Sequence, residues 1–287
     1  MKKLLYIFLT VLIVACSGDD NNDGNNNNQS SCPIYLDSNG ITIKACDDAN
    51  VGDTGVVNGV TYTVVDKAML VQMLNNGEDV TRLATTKVID MYAMLAGKKT
   101  FNQPIGNWDV SNVFEMGAMF SSASSFNQDI SNWDMSFVRD MRYMFNSASS
   151  FNQPIGNWDV SSVTKMGRMF SFASSFNQPI GDWDVSNVTD MGGMFSNGAF
   201  NQPLSNWDVS SVTDMSYMFV FATSFNQPIN SWNVSSVTDM ENMFYNAFAF
   251  NQNLSSWSVD GVTNCTDFSY GTTSWTLPKP NFTNCTP

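Results

Sequence analysis

The stretch that decides the fold is Phe151–Ser175, FNQPIGNWDVSSVTKMGRMFSFASS. Its opening tripeptide, Phe-Asn-Gln, recurs at intervals of 24 or 25 residues, beginning at Phe101, Phe126, Phe151, Phe176, Phe200, Phe225 and Phe250. Self-similarity at such a period indicates a solenoid, in which each unit packs only on its neighbours. The sequence therefore predicts a stack of about seven coils of 25 residues.

Several columns of the repeat hold the same apolar residue type in nearly every copy. One column is tryptophan, and it comprises Trp108, Trp133, Trp158, Trp183, Trp207, Trp232 and Trp257. It is followed by a column of Val, two columns of Met and one of Phe, as at Val163, Met166, Met169 and Phe170. We expect these columns to form the core, and the tryptophans to belong to it rather than to a sugar-stacking platform.

Polar columns accompany the apolar ones. The Asn-Gln pair of every repeat, as at Asn152-Gln153, predicts a ladder of amide hydrogen bonds from coil to coil rather than a binding strip. One acidic column runs from Asp109 to Asp208, and a second runs from Glu115 to Asp239. We favour carboxylates that cap local turns, with calcium bridging as the alternative, and assign no metal site.

The apolar period changes within each unit. Trp158 and Val160 alternate with polar residues, which is typical of a short strand, whereas Val163, Met166, Met169 and Phe170 follow a helical spacing. The predicted fold class is an α/β repeat solenoid. It is a leucine-rich-repeat-like stack with short parallel strands and short helical or 3₁₀ turns, capped at both ends.

The repeat resembles the BspA-like leucine-rich-repeat surface proteins, in which units of the form F-N-x-x-I-x-x-W-D-V-S-x-V-x-x-M-x-x-M-F recur. The match covers Val80 to about Tyr270, roughly two thirds of the chain. The resemblance implies an exported solenoid used for adhesion or protein binding. It implies no catalytic residue and no particular ligand.

The N-terminus carries an export pattern. Lys2 and Lys3 precede an apolar run that is too short to span a membrane, since a spanning helix needs ~20 residues. The run ends at Ala15-Cys16 and resembles a lipobox, which implies acylation of Cys16; an ordinary signal peptide is the alternative. Residues 17–31 hold no apolar side chain and predict a flexible tether.

The other four cysteines fall into one local pair at each end of the folded part. We expect the disulfides Cys32–Cys46 and Cys265–Cys285, because an exported protein enters an oxidising compartment. Four cysteines allow three connectivities, and proximity in sequence is the ground for this choice. A structural zinc site is the rival, although no Cys-x-x-Cys occurs.

The two ends depart from the repeat as caps should. Asp66 is expected to cap a short helix that ends at Asn76-Gly77, and Ile41–Ile43 and Val60–Val65 are expected to be strands. After the last repeat, Trp275, Leu277 and Phe282 are expected to cover the open core. The predicted organisation is a signal peptide (1–15), a lipidated cysteine and tether (16–31), an N-terminal cap (32–79), the solenoid (80–270) and a C-terminal cap (271–287).

Composition excludes several functions. The chain has 13 Lys+Arg against 26 Asp+Glu, a net charge of −13, which disfavours a nucleic-acid partner. It has no histidine, which removes Ser-His-Asp catalysis, Cys-His catalysis and His-ligated metal sites. The remaining carboxylates lie in repeat columns rather than in a unique constellation, so we expect neither an enzyme nor a cofactor.

The positions that vary between coils are better candidates for specificity, because aromatic residues and Arg are enriched at interface hot spots. The candidate binding residues are Phe114, Arg142, Tyr143, Arg168, Phe172, Tyr217, Phe221 and Tyr245. The expected function is noncovalent binding of a protein or a cell surface by a lipoprotein of a bacterial outer membrane. It would face the exterior and touch the membrane through its lipid only. The alternatives are a glycan-binding lipoprotein of a nutrient-uptake system and a structural envelope protein without a specific ligand.

Overall fold

The computed structural model describes residues 33–287. The signal peptide, Cys16, the tether and Cys32 lie outside the described residues, so the lipidation and the Cys32–Cys46 disulfide stay predictions. Within the described range, no helix is long and apolar enough to cross a membrane.

The N-terminal part contains two small sheets. β1 (Ile34–Leu36) and β2 (Ile43–Ala45) form an antiparallel pair. β3 (Thr54–Val57), β4 (Val60–Val64) and β5 (Leu83–Ala84) form a second sheet, with β3 and β4 antiparallel and β4 and β5 parallel. Asn58 and Gly59 connect β3 to β4 with φ of 51° and 79°, the left-handed pair that a two-residue hairpin loop requires. The strand expected at Ile41–Ile43 lies two residues further along, at β2.

Helix α1 (Lys67–Asn76) closes the N-terminal end of the stack. The Asp66 carboxylate accepts a hydrogen bond from the Met69 N–H at 2.8 Å, and Gly77 ends the helix in the left-handed region, which confirms both predicted caps. The buried Leu70 and Leu74 side chains join the core of the first repeats. Lys67 anchors the other side of the helix, since its ammonium lies 2.7 Å from the carboxylate of Asp90.

The repeats lie one on another, joined by isolated parallel bridges. Each bridge links one residue of a repeat to its counterpart in the next, and the series runs Asp90, Glu115, Asp140, Lys165, Asp190, Asp214, Asp239, Asn264. The predicted strand at Trp158–Val160 is wrong, because those residues belong to no strand and the bridge lies at Lys165.

The helical or 3₁₀ turns expected after each predicted strand are also absent, since residues 85–287, all described, contain no helix. The physical reason lies in the backbone. Arg168 and Phe172 both have φ of 57°, which ends any right-handed helix. The N–H groups of Met166, Arg168 and Phe170 donate to carbonyls of the next repeat, at 2.9, 2.8 and 3.0 Å, instead of to a carbonyl of their own turn. The intervening N–H groups of Met169 and Ala173 donate to carbonyls three residues earlier, so stacking replaces helical hydrogen bonding at alternate residues.

The core is a set of aromatic stacks. Phe170 lies 5.7 Å from Phe145 and 6.0 Å from Phe195 between ring centroids, and 3.9 Å from Phe176, which opens the next repeat. All seven repeat tryptophans are buried, with at most 5% of their surface exposed. Each indole N–H donates to a carbonyl of the preceding unit, as Trp183 does to Ile155 at 3.1 Å. The prediction that the tryptophans are core residues is confirmed.

The amide ladder is present as expected. The side-chain oxygen of Asn152 accepts hydrogen bonds from the Asn177 N–H and from the Gln178 amide, both at 3.0 Å. The same contact recurs from Asn102 to Asn251, so the ladder runs along the whole stack.

The C-terminal cap covers the last repeat. Cys265 and Cys285 form the predicted disulfide. Trp275 presents its edge to Phe244 and Phe250, with centroids 5.3 and 4.8 Å apart. The expectation for Leu277 was wrong: its backbone N–H is held by the Asn251 side chain at 3.0 Å, and its own side chain is exposed.

Candidate binding surface

Two positions of every repeat have left-handed backbone conformation, and they form two columns. The first left-handed column comprises Ala93, Ala118, Tyr143, Arg168, Gly193, Tyr217, Asn242 and Asp267. The second left-handed column comprises Gly97, Ser122, Ser147, Phe172, Asn197, Phe221, Asn246 and Gly271. Their residue types vary between repeats, whereas the neighbouring core columns do not.

Bulky side chains occupy these positions in the middle repeats. Tyr143, Arg168, Phe172, Tyr217 and Phe221 have φ between 53° and 59°. This conformation costs an ordinary residue about 1–2 kcal/mol relative to the right-handed one, and Gly and Asn tolerate it best. Non-glycine residues held in this region cluster at functional sites, so these five positions mark a candidate binding surface.

A polar depression of about 210 Å³ is lined by residues of four successive repeats. Its lining includes Gly167 and Gly192, and a carboxylate lies close to each: a Cβ added to Gly167 would meet Asp190 at 2.8 Å, and one added to Gly192 would meet Asp214 at 3.2 Å. The walls are Arg142, Tyr143, Arg168 and Tyr217. The two glycines thus open a trough with two carboxylates inside it.

The charges in this depression are not equivalent. Two nitrogens of Arg142, Nε and Nη2, donate hydrogen bonds to the Asp140 carboxylate at 2.9 and 2.6 Å, so this pair is neutral overall. Burial raises the pKa of Asp190 above its ordinary value, and the nearby charge of Asp214 adds to the effect. Each of the two carboxylates also caps its turn, since each accepts a hydrogen bond from the backbone N–H two residues later.

An apolar depression of about 440 Å³ adjoins the polar one. Phe172, Val220, Phe221 and Tyr245 supply its rings and aliphatic surface. Its polar lining is Ser196, Asn197 and Asn242. Arg168 and Tyr217 line both depressions, so the two form one continuous surface, which we call the middle groove.

The structure brings most of the predicted binding residues together. Arg142, Tyr143, Arg168, Phe172, Tyr217, Phe221 and Tyr245 all line the middle groove. Phe114 does not, because it lies in another column, where its backbone pairs with Ile89 and Arg139. Sequence reasoning missed Asn197 and Asn242, although aligning the repeats would have placed them in the same columns as Phe172 and Arg168.

The acidic columns serve the turns. Asp159 accepts hydrogen bonds from the N–H and the hydroxyl of Ser161, at 3.0 and 2.6 Å, and the other aspartates of that column, together with those of the bridge column, accept an N–H in the same way. This confirms the turn-capping prediction. Within residues 33–287 no group of three or more Cys, Asp or Glu side chains is placed to hold a metal ion.

Comparison with known proteins gives one match. The model of a family described as "Mycoplasma protein of unknown function, DUF285" matches residues 67–183 and again residues 168–280. The two matches together run over about three quarters of the chain. No curated protein and no solved structure matches it.

Proposed function

Since the chain belongs to the DUF285 family, whose function is unknown, we propose from its surface that it is a binding module. It binds a protein or another cell surface noncovalently through the middle groove. The observation that carries the proposal is the set of bulky side chains held in left-handed conformation around the two depressions.

The composition of the groove supports a protein partner. Tyr, Phe and Arg are the residues enriched at interface hot spots, and they line both depressions. The backbone beneath them is fixed by hydrogen bonds between repeats, such as Arg168 N–H to Gly192 at 2.8 Å and Phe172 N–H to Ser196 at 2.8 Å. A groove on such a base loses little conformational entropy on binding, which favours affinity.

The proposal includes a fold class and a cellular location. We propose that the stack is a leucine-rich-repeat-like solenoid of the BspA-like kind, and the parallel bridges between successive repeats support this. The N-terminal pattern ending at Cys16 supports a lipid-anchored protein on the outer surface of a bacterium. Protease treatment of intact cells tests this location: loss of the protein band agrees with it, and a protected band contradicts it.

The binding test uses the full chain, purified in a non-ionic detergent, against a panel of immobilised extracellular proteins and a panel of glycans. We expect saturable binding to at least one protein, weakened about tenfold or more by Phe221→Ala, since hot-spot truncations cost about 2 kcal/mol or more. Phe248→Ala is the matched control, because the two rings are 42% and 43% exposed but Phe248 lies outside the groove.

The other outcomes point elsewhere. Binding confined to glycans and lost with Phe221→Ala would replace the proposal by the glycan-uptake alternative. A folded protein that binds neither panel would leave a structural envelope role.

A further inference from the structure

The cations of the repeats are concentrated in one place. Residues 101–270 contain fifteen Asp and Glu but only four Lys and Arg. The four are Arg139, Arg142, Lys165 and Arg168, and they all lie in two adjacent repeats. In a stack that otherwise repels anions, this is the segment that an acidic partner can approach.

Most of these cations lack an acidic partner. Within the part of the chain that the structure describes, Arg142 is the one member of the four that lies within 4.0 Å of a carboxylate. Arg139 donates to backbone carbonyls instead, and its guanidinium lies 5.4 Å from the ring of Phe137. Arg168 lines the middle groove and forms no ion pair within 4.0 Å among the described residues.

Arg168 is held in place by its neighbours. A Cβ on Gly193, the same position one repeat later, would meet the Arg168 Cγ at 2.9 Å, so the aliphatic stem lies across that glycine. The guanidinium lies 6.0 Å from the ring of Tyr143, one repeat earlier. A guanidinium stacked on a ring keeps its N–H edge available for a planar carboxylate, which it can bind with two parallel hydrogen bonds.

Building on the proposed function, we propose that the middle groove binds an acidic peptide segment of a partner protein. A Glu or Asp carboxylate pairs with Arg168, and a neighbouring apolar side chain enters the depression formed by Phe172, Val220, Phe221 and Tyr245. The charge of Arg168 and the apolar depression beside it are complementary to that pair of groups.

The surroundings narrow the class of ligand. Asp190 and Asp214 line the polar depression beside Arg168, which disfavours a dianionic phosphate or a long polyanion. The aromatic and aliphatic lining of the other depression matches an apolar side chain better than a uronic acid ring. A single carboxylate next to an apolar group satisfies both conditions.

Defined peptides provide the test. The probes are fluorescent heptapeptide pools of Gly and Ser with one Glu and one Phe at varied spacing, and matched pools with Gln for Glu or Ala for Phe. With the full chain in detergent, we expect the Glu/Phe pool to bind with a dissociation constant below about 1 mM by fluorescence polarisation. Each matched pool should bind about tenfold more weakly, since a charge-assisted hydrogen bond or a buried ring contributes at least that much.

Two variants examine Arg168. Arg168→Ala should weaken binding of the Glu/Phe pool about tenfold, whereas Arg139→Ala, which removes an equal charge from the neighbouring repeat, should leave it unchanged. Gly193→Ala should weaken binding while keeping every charge, because it displaces the arginine stem. Ala93 and Ala118 occupy the same left-handed position with φ of 53° and 55°, so the backbone accepts alanine there.

Several results would overturn the inference. They are equal weakening by Arg139→Ala and Arg168→Ala, equal binding of the Gln pool, or binding of polygalacturonate oligomers in place of the peptides. If the full chain binds a protein of the earlier panel, loses that protein with Phe221→Ala and keeps it with Arg168→Ala, the binding function stands and the acidic-peptide inference fails. If neither panel nor peptides bind, both fail.

Discussion

Phe170 and Phe172 lie two residues apart, and alanine at each should affect different properties. Phe170 is almost fully buried and touches four rings, of Phe145, Phe176, Trp183 and Phe195. Phe172 is 52% exposed in the middle groove. The backbone N–H of each donates to the next repeat whatever the side chain is, so both substitutions leave the ladder of inter-repeat hydrogen bonds in place.

The expected losses of unfolding free energy differ severalfold. Phe170→Ala removes a fully packed ring and should destabilise the protein by about 3–5 kcal/mol. Full burial of a phenylalanine contributes about 1.5–3 kcal/mol, so loss of the half-buried Phe172 ring should cost about 1 kcal/mol. With a urea dependence of about 3 kcal/mol per molar, the midpoint should fall by about 1 M or more for Phe170→Ala and by about 0.3 M for Phe172→Ala.

Urea unfolding followed by tryptophan fluorescence measures both variants, since Trp183 lies 6.4 Å from the Phe170 ring. Phe170→Leu is the milder companion and should cost less than Phe170→Ala, because it leaves a smaller cavity. Binding in the protein panel should show the reverse order, with Phe172→Ala the more damaging. Equal midpoints for the two alanine variants would refute the assignment of Phe172 to the surface, and with it the groove.

Three further changes test other parts of the molecule. Cys285→Ser opens the loop closed by Cys265 and should lower the unfolding free energy by about 3 kcal/mol, as calorimetry would show; no loss would mean that the cap contributes nothing. Asp190→Asn should keep the turn cap. Because the pKa of Asp190 is raised, its carboxyl favours the native state only while protonated, below its folded pKa. The unfolding free energy of the variant should therefore rise relative to wild type as pH rises. Melting temperatures between pH ~3 and ~7 measure this, and an unchanged difference would contradict it. Asn152→Ala removes the acceptor of two hydrogen bonds, one from the Gln178 amide, and should cost about 1–2 kcal/mol in urea unfolding, whereas a neutral effect would show that the ladder is dispensable.

The stack could be predicted from the sequence because its contacts are between equivalent residues. Asn152 contacts Asn177, and Phe145 contacts Phe170. Because both partners of each contact occupy the same position of the repeat, the sequence of one repeat identifies both, and the period gives the register. The two caps of α1 could also be predicted from the sequence, since Asp66 and Gly77 form hydrogen bonds with residues a few positions away. Local chemistry and repetition were sufficient for these features.

The turns of the repeat could not be predicted, because their cause is not local. Val163, Met166 and Phe170 follow a helical spacing, yet the N–H groups of Met166 and Phe170 donate to carbonyls of the next repeat. Glycine, as at Gly193, predicts a left-handed position. Arg168 occupies the equivalent position one repeat earlier, and its residue type does not predict that conformation. For the same reason, the sequence identifies the candidate residues by their variability but does not predict their common left-handed backbone conformation.

That conformation gives a physical reason why surface residues can vary on a stack whose core does not. A left-handed residue directs its side chain outward while its N–H donates to the next repeat. The side chain can therefore differ between Tyr143, Arg168 and Tyr217 without changing the hydrogen bonds between repeats. Each substitution affects mainly the adjacent repeats, since each repeat of the stack bonds to its neighbours. Gly193 illustrates the limit of this freedom, because it must stay small for Arg168 to lie across it. A specific surface on this stack is therefore set by short runs of neighbouring repeats, and the run that contains Arg168, Gly193 and Tyr217 is the one in which charge, aromatic rings and open glycines coincide.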